Sequence, residues 1–343
     1  MGVSDGLACG KSRHEGFCAP RRHGKRIAGA SIQQGTHVAS LIVLVLPIFL
    51  VIFLGKITQL TLVQSPDVWD GINRIAYWVL FPAFLFVETS KLDLASPDIL
   101  DYSFSLIAGF VAAMGFAYVA GRLAKIESPA LTSIIQGAGR HNTFIGLAVA
   151  GELFGATGST IGTVATASLV PLSNVVVVVI LASMLRRATG RRRIVQDILR
   201  NPIILSIAAG LAFSLLEIER EFILYEFAGM LGRATLPILL LVIGANLRIG
   251  GLGGAVPLVV LSVAAKMLVF PLVTFLACRH AGVSADMTTI AVIFATCPTS
   301  PAGFPLAKQM GGDAPLMATI ISIQTALAVL AIPLAILAVQ ALA

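Results

Sequence analysis

Charge is what this 343-residue chain has least of: Asp, Glu, Lys and Arg together make up 12% of it, against 57% hydrophobic residues. A soluble globular domain carries about twice that charged fraction, and the mean hydropathy of +0.92 leaves little sequence from which to build one. Cysteine is also scarce. Cys9, Cys18, Cys278 and Cys297 show no close paired spacing and no histidine at metal-ligand distance, which argues against a disulfide framework or a metal site and leaves free thiols. No Gly-x-x-x-x-Gly-Lys-[Ser/Thr] sequence occurs, so a P-loop, ATP-driven pump is not indicated. The opening thirty residues are polar, basic and glycine-rich and lack the apolar core of a secretory signal peptide. Residues 1–37 are therefore expected to be a basic, disordered tail or an over-extended gene start.

What the chain does have is apolar runs of membrane-crossing length. A span takes about 20 mostly apolar residues, and the sequence offers ten, near 38–55, 73–90, 103–121, 130–154, 160–185, 201–216, 228–247, 255–277, 285–309 and 315–340. Lipid offers the backbone no hydrogen-bond partner, so each run is read as a helix and the fold class as an all-α polytopic membrane protein. The net charge of +7 might suggest nucleic acid, but the basic residues lie in short connectors, where they act as topological signals. The most basic connector, "RRATGRRRIVQDILR" at 186–200, is expected in the cytoplasm. Lys56, Arg122, Lys125, Arg248 and Lys308 fall on that same side by alternation, and acidic stretches such as "EIEREFILYE" fall on the other. Both termini then face outward, although Arg21, Arg22, Lys25 and Arg26 of the tail argue the other way. The cell (inner) membrane is the expected location.

Five spans (38–185) precede the central loop and five (201–343) follow it. Setting Gly146 on Gly303 brings Ala150 onto Ala307 and Gly155 onto Gly312, and Pro82 and Pro237 occupy the second span of each half. An odd number of spans per half makes the repeat inverted, an arrangement common among secondary transporters. Each fourth span of a half is then interrupted. In the first, "GAGRHNTFIG" sets Arg140, His141, Asn142 and Thr143 between Gly139 and Gly146; in the second, "ATCPTSPAGFP" carries Pro298, Thr299, Ser300, Pro301 and Gly303. Proline lacks an amide donor and clashes with the preceding turn, and backbone opened at membrane depth is tolerated only against protein or a water-filled cavity. Both spans are expected to break and to form a binding site.

Arg140 suggests the ligand. An arginine near the bilayer centre costs about 2.5–3.5 kcal/mol on insertion scales, which an anion would offset with help from the amides of the helix restarting after the break. Structural alternatives stay open: Arg140 pairing with Glu88 or Glu152, His141 as a satisfied interior histidine or as a proton-responsive group, and Thr299 and Ser300 re-bonding freed backbone. Lys266 in "LSVAAKMLVFPLV" either couples and supports the site or hydrogen-bonds released carbonyls. Asn246 in "VIGANL" reads as a helix-end cap more than as a ligand.

These pieces together resemble the auxin efflux carrier family of membrane transport proteins. "HNTFIGLAVAGELFG" is similar to that family's asparagine-, phenylalanine- and Gly-Leu-Pro-containing segment ending in Leu-Phe-Gly, and "NPIILSIAAGL", "LPILLLVIGANL" and "CPTSPAGFPLAKQMGGD" match further pieces of it. The resemblance implies two inverted five-helix repeats, a scaffold domain beside a transport domain, and broken helices 4 and 9 crossing at the midplane. It also implies that an organic anion binds there, with Asn142 near its carboxylate. Ala148 stands where many relatives have proline, so the first break must rest on glycines and on the Arg-His-Asn cluster. Arg140 and His141 replace small or aromatic residues, which favours a stronger or doubly charged acid. The short central loop carries no long regulatory insert.

The reading is a secondary transporter, not an enzyme, exporting a small mono- or dicarboxylate by alternating access under membrane potential or protons. It needs no cofactor or metal, has the lipid bilayer and the anion as its partners, leaves a homodimer open and involves no nucleic acid. A sodium-coupled importer of the bile-acid symporter type and a metabolite-binding sensor without flux are the competing readings. A hydrolase using His141 with Ser300 or Cys297 lacks an orienting carboxylate.

Overall fold

The computed structural model describes residues 38–92, 98–185, 202–216, 218, 223–247 and 255–342. The N-terminal tail, Cys9, Cys18, the 186–200 loop and Arg248 lie outside the described residues. Among the described residues every regular element is a helix and none is a strand.

The chain runs α1 (Val38–Thr61), α2 (Pro66–Ile75), a π-helical turn (Ala76–Leu80), α3 (Phe81–Thr89), α4 (Asp98–Leu123), α5 (Ser128–Gly139) and α6 (Thr143–Met184). It continues with α7 (Pro202–Leu215), α8 (Ile223–Asn246), α9 (Val256–Ala264), a second π-helical turn (Ala265–Val269), α10 (Phe270–Ala281), α11 (Ala285–Thr296), α12 (Gly303–Met310) and α13 (Ala314–Leu342). Six of the continuous or nearly continuous apolar stretches are long enough to cross a membrane, and α7 and α11 are shorter apolar helices. One of the six, Ser128–Met184, has 57 residues. At about 1.5 Å per residue that is far too long for a single crossing, and the backbone divides it twice, at residues 140–142 and at Gly155. Gly155 takes φ 59° and ψ −139° inside α6, a conformation that disfavours a side chain, so the helix turns there.

Both π-helical turns end two positions before a proline, Pro82 in α3 and Pro271 in α10. A proline cannot donate its amide and its ring crowds the carbonyl four residues back; a widened turn relieves that clash without ending the helix. Two groups of helices pack most extensively within themselves: α1, α3, α7 and α8 in one, and α4, α5, α6 and α9 to α13 in the other. The first group closes on small residues. A Cβ on Gly244 would strike the Ile52 carbonyl and one on Gly55 the Leu241 carbonyl, so α1 and α8 approach backbone to backbone. The second group surrounds the two interrupted helices with buried Phe110, Leu131, Ile134, Phe270, Ile290 and Phe294.

Candidate functional site

Helix α5 ends at Gly139 and α6 starts at Thr143, with Arg140 to Asn142 extended between them. The restart is local chemistry: Asn142 Oδ1 accepts from the amides of Phe144 (3.2 Å) and Ile145 (3.4 Å), the preferred N-cap arrangement. In the second half α11 ends at Thr296 and α12 starts at Gly303. Both expected interruptions are therefore present, and they touch. The Asn142 amide donates to the Pro298 carbonyl across 2.7 Å.

Gly146 is not part of the break. The Asn142 cap restarts the helix before it, and Gly146 lies in regular helix with its α-carbon against the Phe294 ring, where an added Cβ would come within 3.0 Å. Gly139 is the last residue of α5 and Gly303 the first of α12, while Pro298 and Pro301 sit in the second break.

A cavity of about 970 Å³ opens beside the crossing. Its buried end is lined by Arg140, His141 and Thr143 of the first break and by Ser300 and Pro301 of the second. Its other end is lined by exposed side chains, among them Asp70 and Asn73 of α2, Asn246 at the end of α8 and Lys308 of α12. Tyr77 of the first π-helical turn and Asn174 of α6 form part of the wall.

The Arg140 guanidinium donates from Nη2 to Asn174 Oδ1 (2.8 Å), while Nη1 has no partner among the described residues. The alternative of pairing with Glu88 or Glu152 does not occur among the described residues. The Glu88 carboxylate holds Lys91 (2.7 Å) and accepts from Thr160 (3.1 Å), and Glu152 is exposed. His141 places Nε2 3.2 Å from Thr143 Oγ1, and its Nδ1 has no partner among the described residues. Asn142 is buried and does not line the cavity. Its oxygen is engaged in the cap, and its Nδ2 is unpartnered among the described residues.

Thr299 is likewise buried outside the cavity. Its hydroxyl donates to the Gly137 carbonyl (2.7 Å), re-bonding backbone that the interruption frees. Ser300 faces the cavity and its oxygen accepts from the Ala302 amide (3.4 Å). Lys266 is fully buried in the second π-helical turn, 4.4 Å from the Phe270 ring centroid, and has no hydrogen-bond partner among the described residues, so of its two readings the bond to released carbonyls does not occur there. Asn246 is the last residue of α8, and its Nδ2 donates to the Val242 carbonyl (2.9 Å) while the residue also lines the cavity. Cys278 and Cys297 are free and buried.

The sequence reading missed Asn174 and Gln324. Each is a lone amide in an apolar run, "LSNVVVVV" and "IISIQTALAV", a weak signal that could have singled them out.

Comparison with known proteins places this arrangement. The family model described as Membrane transport protein, that of the auxin efflux carriers, matches residues 192–336. The match lies in the second half of the chain and takes in the second interruption, α11 to α12. A Rhizobium meliloti (strain 1021) protein named "Putative malonate transporter" is 24% identical over 277 residues, which cover 78% of this chain and 86% of that protein. The matched model and the transporter-named relative, together with the long apolar helices, point to a multi-pass membrane transport protein rather than an enzyme.

Proposed function

We propose that the chain is a secondary transporter of a small organic anion, most suitably a short dicarboxylate, bound where the two interrupted helices meet. One observation carries this reading. The two basic residues at the buried end of the cavity each keep a nitrogen without a partner among the described residues, Arg140 Nη1 and His141 Nδ1. A buried donor without a partner costs about 1–3 kcal/mol, more when charged, and a carboxylate answers several at once. Charge-assisted bonds to a guanidinium are the stronger kind. Arg140, His141, Thr143 and Ser300 would contact the anion, with Asn142 shaping the restart of α6 behind them. The name of the Rhizobium meliloti relative supports malonate as the first ligand to try.

The reading extends to ten spans in two inverted repeats, residues 38–185 and 201–343, with the α1, α3, α7 and α8 group as scaffold and the remainder as the moving domain. With the 186–200 loop in the cytoplasm of an inner-membrane protein, the exposed end of the cavity at Asp70, Asn246 and Lys308 faces inward. Anion export then follows the membrane potential, at about 2.3 kcal/mol per charge per 100 mV.

Purified protein in proteoliposomes tests this. Malonate should be taken up or released in a saturable way that responds to imposed potential or pH and is indifferent to a sodium gradient. Uptake that appears only with sodium would favour the importer reading, and saturable binding with no flux would favour a sensor. Absence of both binding and flux for malonate and other short carboxylates would end the proposal.

A further inference from the structure

Gln324 stands in the middle of α13, fully buried within "IISIQTALAV". An amide side chain has two acceptor lone pairs and two donors, and here they reach backbone from both interrupted helices. Gln324 Oε1 accepts from the Thr299 amide (2.9 Å) and lies 2.7 Å from the Thr299 hydroxyl. Gln324 Nε2 donates to the Gly137 carbonyl (3.1 Å) and toward Ser262 of α9, at 3.3 Å to Oγ and 3.4 Å to the carbonyl oxygen.

The partners decide the meaning. Gly137 is among the last residues of α5, whose final carbonyls have no helical donor ahead of them, and Thr299 lies in the second break, where its amide has left the α11 ladder. One side chain therefore satisfies an orphaned acceptor from the first break and an orphaned donor from the second. The direct bond from the Asn142 amide to the Pro298 carbonyl forms a second rung between the same two segments. Arg140 follows Gly137 by three positions, and Ser300 follows Thr299 by one. Fixing Gly137 and Thr299 against one amide thus sets how Arg140 to Thr143 face Ser300. The fit is close: a Cβ on Gly137 would collide with Ser262 Oγ.

We infer that Gln324 is the positioning residue of the anion site, holding the two breaks in register so that they move as one body with α9 and α13. The inference rests on the proposed anion site for its functional consequence, but its structural consequence can be read without any ligand.

The test uses the full-length protein in detergent or nanodiscs with malonate as probe. Gln324→Leu keeps approximate volume and removes all five polar contacts, and Thr299→Val removes only the hydroxyl. Gln324→Leu should raise the malonate Kd about tenfold or more and Thr299→Val several-fold, whereas Thr299→Ser, which keeps the hydroxyl, should stay within about twofold of wild type. Hydrogen exchange supplies the ligand-free readout. In Gln324→Leu, amides in peptides covering 137–146 and 297–304 should exchange faster together, while α4 keeps its protection. A role confined to stability would lower the melting temperature yet leave both the Kd of the folded protein and the paired exchange unchanged, and that result overturns the inference. If wild type binds no malonate while the paired exchange still responds, the ligand assignment fails and the coupling of the breaks stands.

Discussion

The two interrupted helices solve one problem in opposite ways. The first opens at Arg140 to Asn142 with no proline, and its restart depends on a side chain, the Asn142 cap. The second opens at residues 297–302 around Pro298 and Pro301, and only neutral side chains occupy it. Proline breaks a helix by withholding a donor; a charged and amide-bearing triplet breaks it by offering competing partners. The contrast assigns them different work. The first break lines the cavity with Arg140 and His141, while in the second the Pro298 carbonyl and the Thr299 hydroxyl bond the first and Ser300 alone turns its hydroxyl to the cavity.

This division is breakable. Removing the charge should have the largest effect: Arg140→Ala should weaken malonate binding about ten- to a hundredfold, as expected for loss of a charge-assisted bond worth roughly 1.5–3 kcal/mol. Isothermal titration checks it, and binding that survives unchanged would move the site elsewhere. Asn174→Asp sharpens the comparison further. It sets a carboxylate of the same shape on the guanidinium that Asn174 now holds at 2.8 Å, an internal competitor for the ligand. Binding should fall nearly as far as in Arg140→Ala, while Asn174→Ala should lose much less.

Next in size is the cap. Asn142→Ala should destabilise the protein by about 0.5–2 kcal/mol, read as an earlier thermal transition, with a malonate affinity that falls less than in Arg140→Ala. A larger loss of affinity than of stability would return Asn142 to direct contact with the carboxylate. The second break should give the smallest response. Ser300→Ala is expected to change the Kd by less than about fivefold, the span of one neutral hydrogen bond of ~1 kcal/mol, and a collapse of binding there would erase the contrast between the breaks. Outside both, Glu88→Gln removes a carboxylate engaged by Lys91 and Thr160. It should leave the malonate Kd unchanged in titration, since that carboxylate does not line the cavity.

Much of the architecture was legible in the residues. Runs such as "SLIVLVLPIFLVIFLG" are apolar all round, and a backbone in lipid has only the helix to close its hydrogen bonds, so the all-helical class followed from composition alone. The interruptions were legible for an equally local reason: Pro298, Pro301 and the Arg140 to Asn142 triplet carry their disruption in their own covalent structure. Where the reading went astray, the cause was non-local. Gly146 looked like part of the first break, and it is instead a seat for Phe294 from α11. Thr299 was open between ligand and backbone partner, and its hydroxyl re-bonds the Gly137 carbonyl 162 positions away. Pro82 was noted only for matching Pro237 between the halves, and the π-helical turn before it, which keeps α2 and α3 nearly continuous, was not foreseen.

By itself the sequence determined that this protein lives among lipids as a set of helices, that two of them are interrupted, and that one interruption carries positive charge. Each of these follows from short-range chemistry: hydropathy over a span, a missing amide, a guanidinium without a nearby carboxylate. Only the tertiary structure decided which polar groups share the cavity and which are turned inward as struts. Asn174 reaches Arg140 from 34 positions away and Gln324 reaches Gly137 from 187. Such pairings depend on how each helix is rotated against its neighbours, and that rotation is set by the fit of many side chains at once rather than by any one segment.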